Sequence, residues 1–188
     1  MAKVVVVYHS GYGHTARQAQ AVYEGARGVA GVEAQIISVA DMNDERWADL
    51  AAADAIVFGA PTYMGSLSGD FKKFMDASSK PWFSMAWKDK IAGGFTNSAS
   101  LNGDKLNSLV QLAVLAAQHG MIWVGTGMMP ANSSKAQRND VNRMGSFLGA
   151  MAQSDADVGA DVAPPPGDQE TAQLYGQRVA EVTLRFKR

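Results

Sequence analysis

The stretch that decides the fold is KVVVVYHSGYGHT, residues 3–15. Lys3 to Tyr8 is apolar without alternation, the pattern of a central parallel strand covered on both faces. It stops at a loop of hydroxyls, glycines and imidazoles. Gly11 and Gly13 let the main chain curl so that several N–H groups converge, and Ser10 and Thr15 add hydroxyls at the two ends. A helix follows at once in TARQAQAVYEGARG, with Ala19, Val22, Tyr23 and Ala26 on one face and Gly28 at its end. Its positive end points into the same hollow. The loop reads as a phosphate receptor built on dipoles rather than a lysine. The lysine-dependent nucleotide loop GxxxxGK[ST] is therefore unsupported. GYGHTA also satisfies the relaxed dinucleotide pattern G-x-G-x-x-A. Asp41 is a late partner for that pattern, and the two flanking hydroxyls suit a terminal monophosphate better.

Working outward, the chain repeats strand and helix. VEAQIISVA (32–40) is a weaker strand suited to a sheet edge, and DERWADLAAA a short helix. Ala55 to Gly59 forms a third strand, broken by Pro61. GDFKKFMDASS is a helix capped near Gly69 or Asp70, with Phe71, Phe74 and Met75 inward. Lys90 to Thr96 is a fourth strand whose glycines predict close packing against a helix. DKLNSLVQLAVLAAQHG is a helix with Leu106, Leu109, Val110, Ala113, Val114 and Ala117 on one side. MIWVGTG (121–127) is a fifth strand. Residues 127–167 have little periodicity and form an irregular excursion. The final helix has Asp168 as cap and Tyr175, Val179, Val182 and Phe186 inward. These elements predict one α/β domain over 1–188, a three-layer, doubly wound, five-stranded parallel sheet. Ligands of such sheets bind at the carboxyl ends of the strands, which directs attention to the loops after the first, third and fourth strands.

The loop after the third strand is GAPTYMGSLSGD. Pro61 stiffens it and Gly65 lets it turn, while Thr62, Tyr63 and Met64 offer a wall for a flat ring. The loop after the fourth strand is TNSASLNGDK, small and hydroxylated. Together with the phosphate cradle they describe a site for a phosphorylated planar heterocycle.

Bulk properties narrow the setting. Seventeen basic residues face eighteen acidic ones, so there is neither a basic footprint for nucleic acid nor the acidic surface of a carrier that docks on basic partners. Cysteine is absent, which excludes thiol catalysis, thiolate metal sites and disulfides. His9, His14 and His119 lack metal-ligand spacing, so no metal is expected. No stretch is apolar for long enough to span a bilayer, and the apolar run near the start is too short for a signal segment. These features predict a cytoplasmic protein.

VVVVYHSGYGHT, IVFGAPTYMGSLSGDFKKFMD and LAAQHGMIWVG resemble the flavodoxin-like quinone reductases of the WrbA type. The likeness covers residues 1–30 and 50–126 well and the last helix loosely. It implies a sheet of order 2-1-3-4-5, bound FMN, and ping-pong, two-electron reduction of quinones by NAD(P)H. The resemblance assigns the FMN phosphate to Ser10, Gly11, Tyr12, Gly13, His14 and Thr15, with Tyr12 also touching the nicotinamide nucleotide. It assigns the ring wall to Pro61, Thr62, Tyr63, Met64 and Gly65. The ring's polar edge and the ribityl chain fall to Thr96, Asn97, Ser98, Ala99, Ser100 and Leu101. It places His119 near the flavin as a catalytic residue, Trp82 over the substrate face, and the chain in a homodimer or homotetramer. The sequence departs from the family at Tyr63 and Met64, where an arginine and an aromatic are common, and at NSASLNG, which replaces a glycine-rich run. The alternative reading is a flavodoxin-like electron carrier without NAD(P)H activity of its own.

Overall fold

The computed structural model describes residues 1–187. Its elements, in chain order, are β1 (Ala2–Tyr8), α1 (His14–Arg27), β2 (Val32–Ser38), α2 (Asp44–Ala52), β3 (Ala55–Tyr63) and β4 (Ser66–Leu67). They continue with α3 (Gly69–Ala77), α4 (Ser79–Phe83), β5 (Ile91–Ser98), α5 (Lys105–Gln118), β6 (Ile122–Trp123), β7 (Ala150–Gln153) and α6 (Pro166–Phe186). The sheet runs β2-β1-β3-β5-β6, all neighbours parallel, which is the expected order of five positions. β4 is a two-residue antiparallel flap on the end of β3.

The valine run explains why β1 is central. Val4 and Val6 face one side of the sheet with Ala55, Val57, Phe95, Tyr175 and Val179, under α1 and α6. Val5 and Val7 face the other side with Ile56, Phe58, Phe71, Trp87, Leu109 and Leu112, under α2, α3 and α5. Both valine pairs are fully buried, so no alternation could show in the sequence.

α1 and α6 cross closely. A β-carbon at Gly25 would lie 1.8 Å from the Gln173 carbonyl oxygen, and one at Gly176 would lie 1.9 Å from that of Val22. Only glycine fits either position, because the obstacle is main chain. Gly25→Ala is expected to push the helices apart at a cost of ~1–3 kcal/mol. Thermal unfolding should register this as a fall of roughly 2–12 °C in Tm.

Five expectations are corrected. β3 does not end at Gly59 but runs through Pro61, which pairs in register with Asn97. The Gly59 carbonyl accepts from the His9 amide on the β1 side. Pro61, two residues on, therefore turns its missing N–H toward the flank where β1 has already ended. The fifth strand is split. β6 pairs with Ile91 and Ala92, the chain leaves, and β7 returns to pair with Phe95 through Ser98. The 127–167 excursion thus contains half of the edge strand. At the fork the buried Tyr175 hydroxyl accepts from the Gly94 amide (3.0 Å) and donates to the Val124 carbonyl (2.6 Å). Burial pushes the pKa of this phenol far up.

The inner face of α5 is Leu109, Leu112, Leu115 and Ala116, whereas Leu106, Val110, Val114 and Ala117 are exposed. Both stripes are apolar, so periodicity alone did not choose between them. Asp168 is not the cap of α6, which begins at Pro166 after Pro165. It is buried in the first turn, where it accepts two hydrogen bonds from the Arg138 guanidinium (2.9 Å each) and one from the Gln153 amide (2.9 Å). On this last helix Tyr175 and Val179 are buried, Val182 is half-buried, and Phe186 is exposed.

Candidate functional site

A cleft of about 990 Å³ opens at the carboxyl ends of β1, β3 and β5. Its first wall is the loop after β1. Gly13 has φ +90°, a left-handed conformation suited to glycine, and it turns the chain into α1. The Ser10 hydroxyl accepts from the Gly13 amide (3.0 Å), which fixes the turn. The amides of the first helical turn have no partner within the helix, so they and the helix dipole are available to an anion. Thr15 adds its hydroxyl from that turn. No lysine or arginine lines the cleft among the described residues, and Asp104 is the one charged lining residue. An anion held here is held by dipoles.

The second wall is Pro61, Thr62, Tyr63, Met64 and Gly65. Met64 stands fully exposed and Tyr12 nearly so, with the Tyr12 and Tyr63 rings edge to face at 6.2 Å. Apolar side chains left uncovered around a cleft suit a flat ring laid against them. Burial, and secondarily Tyr12, raise the pKa of Tyr63, while a hydrogen bond from the Gly11 main chain opposes them. Beneath this wall the hydroxyls form a one-way chain. Thr96 donates to the Ala60 carbonyl (2.7 Å), so it accepts from Thr62 (2.8 Å), which in turn accepts from Ser108 (2.7 Å). The Thr62 hydroxyl is therefore committed to the floor.

The third wall is Asn97, Ser98, Ala99 and Ser100. The Ser154 hydroxyl donates to Asn97 Oδ1 (3.2 Å), which leaves the Asn97 amide nitrogen as the donor for a ligand. The structure thus gathers from three loops most of the residues assigned to a cofactor. Gly11 and Gly13 belong to the first loop without lining the cleft. Thr96 is fully buried below the cleft, and Leu101 points into a neighbouring groove with Arg138 and Arg143.

His119 and Trp82 are not brought to this cleft. α5 runs antiparallel to β5, so its last turn lies at the amino ends of the strands, opposite the cleft. There His119 is only 2% exposed and its ring packs 4.2 Å from that of Trp87. Ser78 donates its one proton to the Met75 carbonyl (2.6 Å), so His119 Nε2 must donate to the Ser78 hydroxyl (2.9 Å). Nδ1 is then a bare acceptor without a partner, and burial pushes the imidazole pKa down. Trp82 donates from Nε1 to the Gln118 carbonyl (3.0 Å) beside it. Within one chain neither residue touches a ligand in the cleft.

Ser154, Ala156, Val158 and Gly159 line the cleft without having been anticipated. They belong to the segment after β7, which crosses the first loop. His14 Nε2 donates to the Val158 carbonyl (2.9 Å) and Arg17 to the Ala160 carbonyl (2.6 Å). The signal that could have found them is LGAMAQSD, a short apolar run followed by small polar residues, which is itself a strand-and-loop pattern.

The pattern of the NADPH-dependent FMN reductase family matches residues 2–135. The chain is 52% identical to flavodoxin FldP of Pseudomonas aeruginosa, over 97% of each chain. It is 32% identical to the NAD(P)H dehydrogenase (quinone) of Geotalea uraniireducens, over 99% of this chain and 100% of that one. The crystal structure of a WrbA-like flavodoxin from Agrobacterium tumefaciens superposes with a TM-score of 0.77 at 49% identity, covering 98% of this chain and 99% of the other. The chain belongs to the NADPH-dependent FMN reductase family, in its WrbA-type, flavodoxin-like branch of FMN-binding, NAD(P)H-dependent proteins.

Proposed function

We propose that this protein is an FMN-dependent NAD(P)H:quinone oxidoreductase. The observation that carries the reading is the cleft itself. It joins an anion seat without a lysine or arginine among the described lining residues to an open mouth rimmed by exposed Tyr12 and Met64, where a flat co-substrate can follow the flavin. Ser10, Thr15 and the first-turn amides hold the phosphate. Tyr63 and Met64 border the ring, and Asn97 to Ser100 meet its polar edge. Bound FMN supplies hydride acceptance and two-electron delivery, and the protein supplies orientation and access. Tyr12, exposed at the rim, receives the nicotinamide nucleotide and then the quinone on one face. The exposed apolar stripe of Leu106, Val110, Val114 and Ala117 supports assembly as a homodimer or homotetramer. A contact between Trp82 and the acceptor would come from a neighbouring subunit in that assembly. His119, neutral and enclosed, has a packing role in this reading. No helix among the described residues is long and apolar enough to cross a membrane, and the proposed setting is the cytoplasm.

The likeness to a Pseudomonas flavodoxin favours a second reading, an electron carrier that docks on a reductase. The near-neutral charge opposes it, since a net charge of −1 offers little electrostatic steering. Steady-state oxidation of NADPH and NADH with benzoquinone separates the two. Parallel initial-rate plots at several quinone concentrations are expected. Intersecting plots refute the shared face, and absence of nucleotide oxidation by FMN-loaded protein leaves the carrier.

A further inference from the structure

Lys105 is fully buried. It is also the first residue of α5, where the helix dipole disfavours a cation. Lysine is rarely buried without a countercharge, and no carboxylate touches this one. Its Nζ instead donates to three oxygens of one loop: Ser98 Oγ (2.7 Å), the Ser100 carbonyl (2.8 Å) and the Leu101 carbonyl (2.9 Å). That loop is the third wall of the cleft, and Ser98, Ala99 and Ser100 line it. The C=O and N–H of a trans peptide unit point in opposite directions. Drawing the Ser100 and Leu101 carbonyls onto the ammonium therefore aims the amides of Leu101 and Asn102 away from it. The Ser98 hydroxyl also donates to the Ser100 carbonyl (3.0 Å), closing the turn around the charge.

We propose that Lys105 is a positioning residue whose ammonium shapes the loop from Ser98 to Leu101 into the form that receives the polar edge of FMN. The proposal rests on the cofactor reading above for the ligand, and on the apo-protein alone for the loop. Burial lowers the pKa of Lys105 to about 8, with Asp168 opposing and Arg138 reinforcing the shift. Asp168 comes from α6 and Arg138 from the excursion, and the two are paired with each other. Because the native pKa lies below the unfolded one, this group raises folding stability as pH rises from about 8 toward its ordinary value. FMN affinity should move the other way, since the ammonium that holds the loop is lost over the same interval.

The test uses apo-protein and FMN, with affinity followed by quenching of flavin fluorescence between pH 7 and 9, for wild type, Lys105→Met and Lys105→Arg. Wild-type affinity is expected to fall as pH rises through about 8. Lys105→Met should bind FMN roughly tenfold or more weakly at pH 7, the scale of one lost charge-assisted hydrogen bond or two, with no break near 8. Lys105→Arg keeps its charge throughout and should bind without the break. Amide hydrogen exchange in the apo-proteins should be faster at Leu101 and Asn102 in Lys105→Met than in wild type. Wild-type affinity that is flat from pH 7 to 9, or Lys105→Met with wild-type affinity and wild-type exchange, overturns the proposal. If Lys105→Met does not fold, the wild-type and arginine pH profiles decide. If wild type binds no FMN at any pH, the cofactor reading fails, and the exchange comparison alone decides the role of Lys105.

Discussion

Ser10→Asp is expected to weaken FMN binding at least ~100-fold while leaving riboflavin, which lacks the phosphate, nearly unaffected. The Ser10 hydroxyl accepts from the Gly13 amide, and an aspartate oxygen can do the same, so the left-handed turn at Gly13 survives the change. What changes is charge. Among the described residues no lysine or arginine lines the cleft to offset a new carboxylate. Two like unit charges about 4 Å apart cost roughly 4 kcal/mol at the dielectric typical of a protein surface. Isothermal titration of the variant with FMN and then riboflavin separates this effect from collapse of the loop. Equal weakening of both ligands would mean the turn had been lost, and unchanged FMN affinity would place the phosphate elsewhere.

The second large effect concerns stability. Tyr175→Phe should lower folding stability by ~2–4 kcal/mol, because it strands two buried main-chain groups at once. The Gly94 amide and the Val124 carbonyl both depend on the Tyr175 hydroxyl, at the point where β6 leaves the ladder and β7 has not yet arrived. No neighbouring strand can replace it there. Thermal unfolding should show a drop of roughly 4–16 °C for a chain of this size. A drop smaller than about 4 °C would mean that the fork is satisfied by some other group.

The glycine turn after β1 and the central strand were legible because both are local. A four-valine run, two glycines and a helix start within fifteen residues, and nothing distant is needed to read them. The wall at Thr62 to Gly65 was legible for the same reason. What distance contributes was not. Lys105 looks like an ordinary helix-start lysine until the loop before it closes on its ammonium. Asp168 looks like a cap until Arg138, thirty residues earlier, reaches it. The split edge strand hid because each half is too short to announce a period, and its halves are joined only through β5. α5 was misread for a different reason: Leu106, Val110 and Val114 are as apolar as the stripe that faces the sheet, so burial had to decide. The resemblance sets His119 near the flavin, whereas the topology carries it to the amino ends of the strands.

In the proposed complex, main-chain amides and two hydroxyls, with no cationic side chain among the described residues, seat the phosphate of FMN. The direct measurement is a titration of wild-type apo-protein with FMN and with riboflavin, followed by flavin fluorescence at low and moderate salt. One FMN bound per chain with a Kd of about 1 μM or tighter is expected, with riboflavin bound far more weakly. Equal affinity for the two flavins, or no uptake of FMN, would contradict it.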